Sequence, residues 1–225
     1  MSNDASRAMD AVYAASFRLC SESPFATIGE GQLKGAILRA LLQAGFSVLE
    51  GSTKNTGKVL SLQDGAVAVT LAPLPPMPAL AGSTATRWSP DVRIWEPIRL
   101  VAEIQARSIW GTQDALFSKN LLNDLDRICS GLAHFFVFCC DLPIYLALLG
   151  EKTDTRGRKA AGKDIFCNLL PHPDSLSSTP SHFKSKCGPY SVIVSGGLTP
   201  PIWGVQRVVL VIVGDKESSS VAAAG

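Results

Sequence analysis

The spacing of apolar positions predicts two helices at the start of the chain. Residues 3–20 have a modest apolar face, and residues 29–44 repeat apolar side chains at the spacing of an amphipathic helix. Gly45 follows the second helix, in a position where glycine commonly ends a helix. Glu30 lies in the first turn, where a carboxylate suits the positive end of the helix dipole. That placement explains Glu30 without requiring a function.

The pattern then changes from helical spacing to the alternation that is typical of strands. Residues 46–50 alternate, residues 51–58 are polar and predict a turn, and residues 60–71 supply another strand region. The proline-rich residues 72–83 predict an irregular connection. Residues 88–111 then form two short strands, and the short loop between them predicts adjacent antiparallel strands.

The second half of the chain mixes helical and strand patterns. The predicted elements are a helix over 112–130, a strand over 134–140, a short helix over 142–149, a loop over 171–189, and strands over 190–194 and 205–213. A mixed sheet flanked by helices is the natural packing for this order, which predicts an α/β fold. The length fits one domain over residues 1–213, and the polar and small residues of 214–225 predict a disordered tail.

Composition narrows the classes of protein. Apolar residues make up 46% of the chain and charged residues 18%, as in a folded protein, and the formal net charge is +2. Binding to nucleic acid therefore has to rely on local patches, because a basic field over the whole protein is absent. The six cysteines form no CxxC pair, which favours a reducing cytoplasm. The most apolar run, residues 132–150, is interrupted by polar residues and proline, so we expect no membrane span. The first twenty residues have acids early and no basic region followed by an uninterrupted apolar core, so we expect no signal peptide.

Two carboxylates stand in or beside apolar strands, where an acid is costly to bury without compensation. Asp91 follows Pro90, and Glu103 begins the triplet Glu103-Ile104-Gln105 after eleven intervening residues. Alternation places Glu103 and Gln105 on one face of their strand. Magnesium takes oxygen ligands and commonly uses only one or two carboxylates, and it promotes phosphodiester hydrolysis. The pair Asp91 and Glu103 therefore predicts a magnesium site.

Pro90-Asp91 and Glu103-Ile104-Gln105 at this spacing resemble the PD-(D/E)XK motif of the restriction-endonuclease-like nucleases. The resemblance implies an αβββαβ core over about residues 28–142, followed by a C-terminal extension that contains strands. It also implies that Asp91 and Glu103 bind Mg²⁺, for which Mn²⁺ can substitute, and that Glu30 is an accessory acid. The implied activity is cleavage of double-stranded DNA by a cytoplasmic restriction-type endonuclease that acts as a homodimer.

Gln105 departs from the family pattern, because most members have lysine there. An amide can orient a water molecule but supplies no positive charge, which Lys119 on the next predicted helix could provide. The departure leaves two alternatives open: a non-catalytic binding or assembly protein on a nuclease-like scaffold, and a repair or recombination nuclease. Simpler roles also stay open, in which Asp91 stabilises a turn, Glu103 pairs with Arg99 or Arg107, and Gln105 faces solvent.

Three further signals are weaker. Residues 51–58 contain glycines and Lys58 but lack P-loop spacing, so they favour phosphate contact through Lys54 and Lys58 over nucleotide binding. The basic residues of 156–163 fit either a solvated loop or phosphate contact. A zinc site is disfavoured, because its potential ligands have no tight pair spacing; these are Cys167, His172, His182 and Cys187.

Overall fold

The fold is taken from a computed structural model, which describes part of the 225-residue chain. The described residues are 3–23, 28–53, 56–73, 90–107, 124, 127–128, 131–142, 144–145, 181–184, 191–196 and 207–213.

Two long helices lie at the start of the described chain, as the apolar spacing predicted. Helix α1 spans Asn3–Glu22 and helix α2 spans Glu30–Gln43. The backbone N–H of Gly29 donates to Gln32 Oε1 at 3.0 Å, which satisfies a backbone donor at the start of α2. Gly45 follows the helix with φ of 84°, a left-handed conformation that glycine adopts without steric cost.

The described strands form one sheet, which is mixed but mostly antiparallel. The strands are β1 (Ser47–Thr53), β2 (Thr56–Gln63), β3 (Ala66–Pro73), β4 (Val92–Glu96), β5 (Leu100–Arg107), β6 (Phe135–Asp141), β7 (Ser181–Lys184), β8 (Ser191–Gly196) and β9 (Arg207–Val213). Their order across the sheet is β3-β2-β1-β4-β5-β6-β9-β8-β7. Among these strands, β5 and β6 form a parallel pair, and the other pairs are antiparallel. The predicted antiparallel neighbours β4 and β5 are confirmed.

The two helices cover one face of the sheet. Helix α2 packs on β1, β2 and β5, and α1 packs on α2 and β9. Ile104, Val137 and Val211 belong to this core and are almost fully buried. Since neighbouring residues of a strand point to opposite faces, Glu103 and Gln105 flank Ile104 on the other side of the sheet. Burial on both faces explains why β6 is apolar from Phe135 to Cys140, before it ends at Asp141.

Two details differ from the predicted elements. The region 60–71 is not one strand, because Asp64 and Gly65 have φ of 48° and 79° and join β2 to β3 as a tight hairpin. The polar residues predicted as a turn over 51–58 continue β1 and β2 by backbone pairing, which does not require apolar side chains. Strand β7 lies inside the predicted loop 171–189. It is an edge strand, and a short edge strand can form without a strong apolar alternation in the sequence.

Other predictions fall wholly or partly outside the described residues. Of the predicted helix 112–130, only Asp124, Arg127 and Ile128 are described, and their backbone is helical. The predicted disordered tail 214–225 and the basic residues of 156–163 lie outside the described part. Among the described residues, no helix combines the length and apolar character needed to cross a membrane.

Candidate active site: a buried cluster of acids and bases

Asp91 and Glu103 are linked crosswise through the backbone. The N–H of Asp91 donates to Glu103 Oε2 at 3.3 Å, and the N–H of Ile104 donates to Asp91 Oδ2 at 2.9 Å. Asp91 immediately precedes β4, and Glu103 lies in β5, so pairing of these two strands sets the register of both links. The sequence prediction that the two acids lie together is therefore consistent with their contacts.

Lys34 of α2 brings a positive charge to this pair. Its Nζ lies 3.0 Å from Asp91 Oδ1 and 3.8 Å from Oε1 of Glu50, a residue of β1. The Lys34 side chain is only 15% exposed, so solvent screens the Asp91 contact less than it would screen a surface ion pair. Lys58 of β2 is more exposed and lies 3.9 Å from Glu50 Oε2. The cluster thus extends from β5 across β4 and β1 to α2.

Arg127 and Asp124 complete the buried side of the cluster. Arg127 Nη1 donates to Glu103 Oε1 at 3.0 Å and to Asp124 Oδ1 at 2.5 Å. Gln105 Nε2 donates to Asp124 Oδ2 at 2.8 Å. The side chains of Glu103 and Asp124 are 3% and 5% exposed, so both acids are almost fully removed from water. Glu103 pairs with Arg127, whereas the sequence suggested Arg99 or Arg107.

The pKa values of the two buried acids are raised. Burial, followed by the charges of Asp124 and Asp91, raises the pKa of Glu103 to about 9, although Arg127 opposes the increase. Burial raises the pKa of Asp124 to about 7 against the effects of Arg127 and Gln105. The charge of Glu30 also raises the pKa of Asp124, which places the predicted accessory acid within electrostatic reach of the cluster.

The ionised cluster has more negative than positive charges. Its acids are Glu30, Glu50, Asp91, Glu103 and Asp124, and its bases are Lys34, Lys58 and Arg127. With all of these described groups ionised, the excess is two negative charges, and the raised pKa of Glu103 reduces it to about one at neutral pH. A bound divalent cation would balance that excess and lower the raised pKa values.

The donor atoms also fit a hard cation. Within the described residues, no group of three or more His, Cys, Asp or Glu side chains has the arrangement of a metal site. Mg²⁺ differs from metals that need such a group, because it commonly binds one or two carboxylates and completes its shell with water. Gln105 Oε1 is a further buried oxygen, and it has no hydrogen-bond partner within the described part of the chain. Asp91 and Glu103, together with the amide oxygen of Gln105 two residues after Glu103, fit Mg²⁺ by donor type.

Several sequence candidates are not among the described members of the cluster. Lys119 and Lys54 lie outside the described residues, as do the potential ligands of the disfavoured zinc site, apart from the backbone of His182. Arg99 instead places its guanidinium carbon 4.7 Å from the centre of the Trp95 ring.

Sequence reasoning missed four members of the cluster, for which weak signals exist. Lys34 follows Glu30 by one helical turn and therefore shares its face of α2. Asp124 and Arg127 are three residues apart in a helical pattern and likewise share a face. Glu50 ends the alternating segment 46–50, but nothing in that alternation marks it as part of a site.

Comparison of the chain with protein-family models, with curated proteins and with solved structures found no significant match.

Proposed function

We propose that this protein is a magnesium-dependent endonuclease that hydrolyses phosphodiester bonds of double-stranded DNA. The observation that carries the proposal is the crosswise link between Asp91 and Glu103, which holds two carboxylates together at the junction of β4 and β5. Mg²⁺ sites for phosphoryl chemistry commonly take one or two carboxylates from the protein, so such a pair is sufficient. The excess of negative charge in the cluster supports the same interpretation.

The order of elements supports a restriction-endonuclease-like core. Helix α2 precedes β1, β4 and β5, which are neighbours in the sheet, and β6 then pairs with β5 in parallel. This is the αβββαβ order that the motif resemblance implies, with the β2–β3 hairpin inserted after β1. The helical residues Asp124, Arg127 and Ile128 stand where the second helix of that order belongs.

In this proposal Asp91 and Glu103 hold Mg²⁺. When bound, the ion polarises the phosphate and lowers the pKa of the attacking water. Gln105 holds its amide in place by donating from Nε2 to Asp124, which leaves Oε1 to accept a hydrogen bond from water. The amide therefore orients the water without contributing charge.

Lys34 supplies the charge that Gln105 lacks. Its Nζ already lies 3.0 Å from Asp91 Oδ1, on the helix that packs against β5. An ammonium group there stabilises negative charge that develops on the phosphate during hydrolysis. Lys34 thus replaces Lys119, the cation suggested by sequence, as the candidate for this role.

The experiment is a cleavage assay with plasmid and linear duplex DNA in the presence of Mg²⁺, Mn²⁺ or EDTA. We expect cleavage that requires the divalent ion and yields products from both strands, in keeping with a restriction-type enzyme acting as a homodimer. Nicked and branched duplexes in the same assay separate restriction-type cleavage from a repair or recombination activity. Full nicking activity retained by purified Asp91→Ala and Glu103→Ala would contradict the proposal.

One observation favours a second function, that of a non-catalytic binding or assembly protein on the same scaffold. The four carboxylate oxygens of Asp91 and Glu103 all have partners within the chain, namely Lys34, Arg127 and two backbone N–H groups. Titration of thermal stability with Mg²⁺ or Mn²⁺ distinguishes the functions, because a ligand that binds the folded state raises the melting temperature. No shift with either ion would favour the binding protein.

A further inference from the structure

Arg127 contacts the two most buried acids of the cluster, Glu103 and Asp124. The same nitrogen, Nη1, contacts Glu103 Oε1 at 3.0 Å and Asp124 Oδ1 at 2.5 Å. The Arg127 side chain is itself only 18% exposed. A charge pair this far from water is strongly coupled, and removing one partner leaves an uncompensated buried charge. Arg127 is therefore a counter-ion on which the two acids depend.

The backbone links determine which carboxylate oxygens remain for a cation. Glu103 Oε2 accepts from the N–H of Asp91, and Asp91 Oδ2 accepts from the N–H of Ile104. The other oxygens of the two acids are Glu103 Oε1 and Asp91 Oδ1. Arg127 contacts the first of these oxygens and Lys34 contacts the second. Protein cations thus lie on the oxygens that the proposed metal site needs.

We propose that Arg127 competes with the divalent cation for Glu103, so that cation binding is an exchange in which Arg127 leaves Glu103 and stays with Asp124. The inference rests on the proposed function, since the ion is the one proposed there. Asp124 can retain Arg127 because it already accepts from the same nitrogen, and a guanidinium has five donors with which to adjust. The released arginine therefore needs no new partner.

The exchange regulates the site in two ways. In the absence of the ion, Arg127 donates to both Glu103 and Asp124 and thereby stabilises the fold. In its presence, the ion has to replace an existing buried contact, which lowers the apparent affinity. The site consequently responds to the concentration of free divalent ion, in the range where the ion outcompetes the guanidinium.

Calorimetric titration of the full-length protein with Mn²⁺ tests this exchange. The informative variant is Arg127→Met, which keeps a long side chain but removes the charge. We expect Arg127→Met to bind Mn²⁺ about tenfold more tightly than the unmodified protein, within the usual range of coupling between two binding events. Its melting temperature without the ion should be lower, and the increase on adding Mn²⁺ larger. Arg99→Met, which removes an exposed arginine at Trp95, is the matched control and should change neither quantity.

The outcomes separate this inference from the proposed function. If the unmodified protein binds Mn²⁺, Asp91→Asn abolishes binding and Arg127→Met binds no more tightly, the exchange is wrong while the metal site stands. If neither the unmodified protein nor Arg127→Met binds Mn²⁺, both are wrong. If Arg127→Met binds Mn²⁺ tightly and the unmodified protein does not, the exchange is supported, and Arg127 is the group that prevents Mn²⁺ binding in the unmodified protein.

A second measurement keeps the inference testable if Arg127→Met does not fold. The side-chain Nε–H signal of Arg127 can be followed by NMR in the unmodified protein during a titration with diamagnetic Mg²⁺, with Arg127→Lys used for assignment. We expect this signal to shift in step with Mg²⁺ binding, while the Arg99 signal does not. An Arg127 signal unchanged at saturating Mg²⁺ would overturn the exchange.

Discussion

Lys34 Nζ lies 3.0 Å from Asp91 Oδ1, so helix α2 places a positive charge on the acid that precedes β4. The PD-(D/E)XK resemblance leads one to expect a lysine at position 105 of β5, where this chain has glutamine. The charge and the water-orienting group therefore come from different elements in the proposed mechanism. Lys34 supplies the first and Gln105 the second.

Substitution of the two proposed metal ligands tests the site directly. Asp91→Asn and Glu103→Gln keep the side-chain shape but remove the charge. Each should lower the divalent-dependent cleavage rate by more than about 100-fold, since even groups that only hold metal ligands in place contribute about 10- to 100-fold. Glu96→Gln is the control, because it removes an exposed acid from β4, the strand that Asp91 precedes. An equal loss in Glu96→Gln would show that the effect is not specific to the site.

The charge of Lys34 should act mainly on the chemical step. Lys34→Met should lower kcat by about 100-fold, the size of effect seen when one preorganised electrostatic group is removed from an active site, with a smaller change in KM. Lys34→Arg should recover part of the rate because it restores the charge. Arg39→Met, on an exposed position of α2, should leave the rate unchanged. If Lys34→Met raised KM and left kcat unchanged, Lys34 would act in substrate binding instead.

The raised pKa of Glu103 predicts how stability depends on pH without divalent ions. The folded state holds the proton up to pH about 9, whereas the unfolded state releases it near the ordinary value of 4.5. Between these values the folded state binds more protons, so its stability falls as pH rises, by at most about 1.4 kcal/mol per pH unit from this group. Asp124, with pKa raised to about 7, acts in the same direction at lower pH.

Urea unfolding in EDTA at several pH values measures this effect. Glu103→Gln removes the titrating group from the surroundings formed by Asp91, Asp124 and Arg127. The free energy of unfolding of Glu103→Gln minus that of the unmodified protein should therefore increase from about pH 5 to about pH 9. A difference that does not vary with pH would mean that Glu103 is ionised throughout this window.

Substitution of Ile104 tests whether packing on the core face of β5 is independent of the site residues on the other face. Ile104 is fully buried in the core on the helix-covered face, between two site residues in sequence. Ile104→Val should cost about 0.5–1.5 kcal/mol of stability and Ile104→Ala about 2–5 kcal/mol. Cleavage per folded molecule should stay close to that of the unmodified protein, measured at a temperature where both are folded. A loss of activity as large as that of Glu103→Gln would indicate that the two faces are coupled.

The parts of the fold that the sequence predicted are those with a strong local signal. The spacing of apolar residues located α1 and α2, and the uninterrupted apolar run located β6. The short connection after Trp95 was enough to predict that β4 and β5 pair antiparallel. The hairpin between β2 and β3 was missed, although its Asp64-Gly65 dipeptide is a strong turn signal, because apolar residues continue on both sides.

The candidate site was only half predictable for a similar reason. Asp91 and Glu103 could be paired because adjacent strands bring them together, whereas Lys34, Asp124 and Arg127 reach them from helices distant in sequence. A charged residue on an amphipathic helix usually faces solvent, so its type and spacing give no sign that it is buried against a particular acid. Such contacts depend on tertiary packing rather than on local pattern.

The parallel pairing of β5 with β6 has a consequence for the order in which the protein folds. Parallel strands cannot be joined by a hairpin. The long connection over residues 108–134 therefore has to lose conformational entropy before β6 can pair with β5. We expect the β4–β5 hairpin to form first, with Glu103 still hydrated, and the acid to lose its water only when the connection docks. In pulse-labelled hydrogen exchange, the Ile104 amide, bonded to Asp91, should gain protection before the His134 amide, bonded to the carbonyl of Val101. Equal rates at the two amides would show instead that the acid is buried in the same step that forms the hairpin.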